Sequence, residues 1–151
     1  MLRHTLATLA YRAAKVLRDA PADFHGFAPA EGGRTAGQIL AHMGDLMDWA
    51  VSIAEQKEAW MDSPPQSWDA DVRRFFDALA RFDASLSGPF AEGVSADRLF
   101  QGPVADALTH VGQLAMMRRM AGAPIRSENY FKADIAAGRV SLDQPPPKRE
   151  F

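Results

Sequence analysis

Four stretches of the chain carry apolar residues at three-to-four spacing, the period of one helix face. In residues 2–19 the repeat is Leu2, Leu6, Leu9, Ala13, Val16 and Leu17. In 35–60 a stripe of Ile39, His42, Leu46, Trp49 and Ile53 runs with Met43 and Ala50 beside it. In 67–87 Trp68, Val72, Phe75, Leu79, Phe82 and Leu86 step by four and three. In 103–121 the stripe is Ala107, His110, Leu114, Met117 and Ala121. No stretch alternates in the way of a half-buried strand. The pattern predicts an all-α protein, four amphipathic helices in an up-and-down four-helix bundle over about residues 2–121.

Proline and glycine set the boundaries. Breaks fall at Pro21–Gly33, Pro64–Pro65 and Gly88–Gly93, and Pro145–Pro147 interrupts the end of the chain. Thr35 and Ser67 are expected N-caps, because their hydroxyls accept from orphan backbone N–H groups. Pro103 suits the first turn of the last long helix, and Gly122 ends it. Loops of about 15 residues exceed the usual 2–8 of a bundle, which implies a crossover or a loop capping one end. Trp60, near the end of the second helix, is the residue expected over that end. Residues 122–151 read as a C-terminal appendage with a short helix within 127–137 and an extended or partly disordered remainder. The 151 residues fit a single domain, 1–151.

Composition narrows the function. The 17 basic and 19 acidic side chains give a net charge of −2, with no electrostatic case for nucleic acid or a membrane surface. No apolar run reaches the ~18 residues of a membrane helix. The basic residues of the first twenty positions are scattered rather than placed ahead of an apolar block, unlike a signal peptide, so a cytoplasmic location is expected. With no cysteine, thiolate metal sites and a cysteine nucleophile are excluded. No G-x-S-x-G or phosphate-cradling glycine loop is present.

What remains is polar residues on two apolar stripes. His42 lies on that of the second helix and His110 on that of the fourth. Asp106, four residues before His110, points the same way, and Gln113 follows one turn later. Asp45 lies about one turn beyond His42. Two histidines and a carboxylate from two helices make a plausible set for zinc, nickel, iron or manganese, with positions left open for water or substrate. The same pattern also suits core histidines satisfied locally, and Asp106–His110 suits a simple hydrogen-bonded couple. His4 and His25 are expected to be exposed and outside any site.

The segments T-A-G-Q-I-L-A-H-M-G-D at 35–45 and D-A-L-T-H-V-G-Q-L-A-M-M-R-R-M-A-G at 106–122 resemble the DinB/YfiT-like family, as does E-N-Y-F-K-A-D-I-A-A-G-R at 128–139. The resemblance covers about half the chain. It implies a four-helix bundle, often a homodimer, whose divalent metal is held by one histidine of the second helix and an H-x-x-x-H pair of a later one. His42 matches the first of these and His110 the last. The chain departs from the pattern at Asp106, where the family has histidine, although an aspartate also binds divalent ions. Relatives include transferases and isomerases that use a small-molecule thiol. The resemblance thus implies a metal-dependent enzyme acting on a small-molecule substrate, with an exogenous thiol as the nucleophile. Gln113 is the candidate to orient water or substrate, and Leu40 and Met116 are candidates for contact with a second copy. A metal-dependent hydrolase, a metal-free binding or stress-response module, and a structural interaction protein are the alternatives.

Overall fold

Helix starts are set by polar caps where the sequence offers them. Thr35 Oγ1 accepts from the Gln38 amide at 3.2 Å, and Gln38 Oε1 accepts from the Thr35 amide at 2.8 Å, a reciprocal capping box. Ser67 Oγ accepts from the Ala70 amide at 3.3 Å. The computed structural model describes residues 1–151 and is all-helical, with no strand. Its helices are α1 (Leu2–Leu17), α2 (Ala36–Ala54), α3 (Trp68–Ser85), α4 (Ala96–Leu99) and α5 (Ala105–Met120). The four long ones share a core. α2 packs most extensively against α3 and also meets α5, while α1 lies against α5 and α3. Leu6, Leu9, Met43, Met47, Phe75, Phe82 and Leu114 are wholly buried there. No helix is long and apolar enough to cross a membrane.

Several boundaries differ from expectation for identifiable reasons. α2 stops at Ala54 rather than near residue 60. Gln56 takes a left-handed φ of 58°, and the Lys57 amide turns back to the Ser52 carbonyl at 2.8 Å, which closes the helix end. The core stripe of α2 is also rotated from the one read in the sequence. Ala36, Leu40, Met43, Met47 and Ala50 form its deepest line, whereas His42, Trp49 and Ile53 are half-buried on its flank. Leu40, expected to face a second copy, is therefore core, while Met116 is 56% exposed.

Pro103 does not open a helix. The chain is continuously helical from α4 through a wider turn, Phe100–Val104, into α5. A proline inside an ordinary α-helix lacks a donor and its ring clashes with the carbonyl four residues earlier. The widened turn places the break in hydrogen bonding where Pro103 has no N–H to donate. Gly122, at φ 78°, closes α5 as expected.

The C-terminal segment is neither helical over 127–137 nor loose. Only Tyr130–Lys132 makes a short 3₁₀ turn. The segment forms a closed loop through one antiparallel bridge between Glu128 and Glu150. The Tyr11 hydroxyl donates to Glu128 Oε1 at 2.7 Å, and Lys15 Nζ lies 2.8 Å from both Glu128 and Glu150. A second tie is Arg118, buried beneath the end of α1. Its guanidinium donates to the carbonyls of Val16, Arg18, Asp19 and Ala123 at 2.8–3.1 Å, satisfying acceptors that a helix end leaves free.

Candidate metal centre

The contact between α2 and α5 brings His42 across from Asp106 and His110. The last two are one helical turn apart on α5 and so project together. Asp106 Oδ1 lies 3.3 Å from His110 Nε2, and its Oδ2 lies 3.6 Å from His42 Nε2. One carboxylate thus faces both imidazoles with different oxygens. The two rings stand almost perpendicular, at 89°, with centroids 4.9 Å apart. One ligand atom from each of the three residues falls within 4.8 Å of the others. A tetrahedral ion with bonds of about 2.0–2.2 Å holds its ligand atoms roughly 3.4 Å apart. The donor set therefore suits a divalent cation, the ligand atoms drawing in from a span of up to 4.8 Å to about 3.4 Å. The Asp106 side chain is 47% exposed, against 10% for His110, so the group opens toward solvent on the carboxylate side.

The protonation pattern suits ligation. Gln113 Oε1 lies 2.8 Å from His110 Nδ1. An amide oxygen only accepts, so Nδ1 carries the hydrogen and the lone pair of a neutral His110 sits on Nε2, toward Asp106. Gln113, expected to orient water or substrate, is in contact with the ring itself. Burial pushes His42 below its ordinary pKa, the charges of His110 and Arg34 push the same way, and Asp106 only partly offsets them. A neutral imidazole is the form that binds metal.

Asp45, one turn along from His42, is directed elsewhere. Its carboxylate is almost fully buried, is paired with Arg74, and accepts from the Ser63 amide at 3.0 Å and the Ser63 hydroxyl at 2.7 Å. It anchors the segment between α2 and α3. Arg74 also reaches Asp48 at 2.9 Å and the Ala41 carbonyl at 3.3 Å. The anchored segment folds Trp60 back onto the site. The Trp60 ring meets His42 edge to face at 5.6 Å and Trp49 at 5.8 Å, and the Trp49 indole donates to Glu58 at 3.2 Å. Neither Arg74 nor Trp60 was legible as part of the site. Trp60 reaches the site only because α2 ends early, and for Arg74 the one signal in the sequence was an aspartate on an apolar helix with an arginine on the next.

His4 is exposed, as expected. His25 is not. It is half-buried against Gly37, and its Nε2 is enclosed without a hydrogen-bond partner. It lies outside the triad.

No family model matches the chain, and neither a curated protein nor a solved structure matches it.

Proposed function

We propose that the protein is a metal-dependent enzyme of the DinB/YfiT-like kind, a four-helix bundle that holds a divalent ion on His42, Asp106 and His110. The observation that carries this reading is the convergence of three neutral-or-anionic donors from two helices within 4.8 Å. A bound ion supplies Lewis acidity, which lowers the pKa of a coordinated thiol or water. The residues supply the rest. His42 and His110 offer imidazole nitrogens, Gln113 fixes the ring of His110, and Asp106 offsets cationic charge. Trp60 shields one side of His42 from water. With three protein ligands, a fourth position is free for a small-molecule substrate.

The family resemblance favours transfer of a thiol to an electrophilic substrate, and with no cysteine in the chain that thiol is exogenous. The half-exposed Asp106 leaves room for an entering water as well, which supports a hydrolase as the second reading. The family resemblance also suggests a homodimer, with the exposed Met116 and Met120 on α5 as the apolar contribution. Light scattering is expected to give twice 16.5 kDa at micromolar concentration.

The test begins with metal. Protein purified without an affinity tag is titrated with zinc, nickel, manganese and ferrous iron. One equivalent is expected to bind and to raise the melting temperature by linkage. Metal-loaded protein is then incubated with electrophiles, with and without a panel of thiols. Turnover that needs thiol and vanishes in His110→Ala supports transfer, and turnover without thiol supports hydrolysis. A melting curve unmoved by every metal rejects the reading.

A further inference from the structure

Next to the triad lies a cavity of about 330 Å³ between the start of α2 and the segment that follows it. That volume is at the small end of the roughly 300–1,000 Å³ range of ligand sites. Apart from Pro64 and Pro65 its wall is built of polar and charged residues, His42 among them. Such a wall favours a ligand with polar or charged groups to place against it. His42 belongs to both the wall and the triad, so the cavity leads to the candidate metal position.

The charges in the wall are of two kinds. Asp45 is committed to Arg74 and Ser63. Arg34 and Asp62 also line the cavity, and both are exposed. Neither makes an ion pair within 4.0 Å or a side-chain hydrogen bond, with each other or with any other group. The wall therefore offers one free cation and one free anion. Gln38 uses its Oε1 on the Thr35 amide, which leaves its NH₂ as a further donor at the Arg34 end. A simple anion would meet Asp62, and a simple cation would meet Arg34. A molecule carrying both charges matches both.

We propose that this cavity binds a small zwitterion of the amino-acid type, its carboxylate on Arg34 and its ammonium on Asp62, with its side chain directed past His42. The part of the proposal that has the side chain meet a metal rests on the metal reading above; the two charge contacts do not. Arg34 suits a carboxylate because its planar fork donates two parallel hydrogen bonds.

S-methylcysteine serves as the probe, a zwitterion with a weak thioether donor, beside its N-acetyl derivative and its methyl ester. Binding of each is measured by titration calorimetry to wild type, Arg34→Ala and Asp62→Asn, with and without one equivalent of zinc. The zwitterion is expected to bind wild type at least about tenfold more tightly than either derivative, the loss typical of one charge-assisted hydrogen bond. Arg34→Ala is expected to abolish the preference for acid over ester and keep the preference for free over acetylated amine. Asp62→Asn is expected to do the reverse. Circular dichroism is expected to be unchanged, because both side chains lie at the surface. Zinc affinity, titrated separately, is expected to stay within a fewfold of wild type in both variants. Absence of zinc binding in wild type would remove the metal reading while the charge preferences in zinc-free protein stood. Equal binding of the three probes, no binding of any, or preferences that survive both substitutions would overturn the zwitterion site.

Discussion

The hydrogen on Nδ1 of His110 decides what its Nε2 can do. Gln113 Oε1, 2.8 Å from Nδ1, accepts that hydrogen, so the ring cannot turn its other nitrogen away from Asp106 without losing the bond. Partners of this kind are worth about 10–100-fold in metal affinity. Gln113→Ala is therefore expected to weaken zinc binding by about that factor in a chelator competition, whereas His42→Ala and His110→Ala remove measurable binding. An affinity unchanged in Gln113→Ala would mean the ring is fixed by packing alone. Because burial depresses the pKa of His42, the unfolded chain binds its proton more readily than the folded one. Stability of the metal-free protein is expected to fall as pH drops through the ordinary histidine value of about 6.5, and to level off below the folded value. Denaturant titration from pH 8 to 5 reads this slope, and His42→Ala should flatten it. Trp60, edge-on to His42, gives a direct signal. Cobalt or nickel is expected to quench its fluorescence, and Trp60→Phe to remove most of that change. The three candidate ligands were legible in the sequence because a histidine on an apolar stripe stands out locally and Asp106 lies one turn from His110. Trp60 and Arg74 were not, because their roles depend on where the chain returns after α2.

At the scale of elements, α3 followed its sequence pattern most closely. Its step of four and three survives as Val72, Phe75, Leu79, Phe82 and Leu86 in the core, since bulky apolar side chains on one side admit no other inward face. Phe75 has no exposed surface, and Phe75→Ala is expected to cost about 3–5 kcal/mol in equilibrium unfolding. A loss below about 1 kcal/mol would belong to a surface residue. α2 is richer in apolar residues all round, so two neighbouring stripes competed for the inward position. Packing on α3 chose the line through Leu40, Met43 and Met47. That choice set His42 on the flank, where it reaches α5 instead of pointing into the core. The turn through Pro103 was illegible for a different reason: proline usually starts or breaks a helix, and it is tolerated here because the turn widens where its N–H is missing. The ring of Trp49 lies 3.7 Å from where a Cβ would sit on Gly102, so this stretch passes close to α2.

Across the whole molecule, the C-terminal segment is the least foreseeable part, because its order comes from contacts more than a hundred residues apart. Tyr11 and Lys15 on α1 form one wall of a polar cluster closed by Glu128 and Glu150. Burial and the neighbouring Glu128 carboxylate both keep the Tyr11 phenol protonated by pushing its pKa upward. For Lys15 burial pulls downward, but the two carboxylates outweigh it and hold the ammonium above its ordinary value. Glu150 is held below the usual carboxylate range, chiefly by its hydrogen bond with Lys15. A depressed carboxylate contributes fully above its unfolded pKa of about 4.3, and the contribution disappears as pH falls through the lower folded value. The clasp should therefore hold at neutral pH and open in acid. Glu128→Ala leaves the Tyr11 hydroxyl without its acceptor, a loss of about 1–3 kcal/mol for a buried group. Hydrogen exchange reads where that loss falls. The amides of Asn129 and Phe151 bond to the carbonyls of Arg149 and Ser127 at 3.0 Å, so they report the closed loop directly. In Glu128→Ala their protection is expected to fall while amides of α3 stay protected, because the loop opens as a unit smaller than the whole fold. The same amides in wild type should lose protection, corrected for intrinsic rates, as pH falls below the unfolded carboxylate value of about 4.3. If Asn129 and Phe151 exchange in Glu128→Ala as they do in wild type, the bridge is held by something other than this cluster.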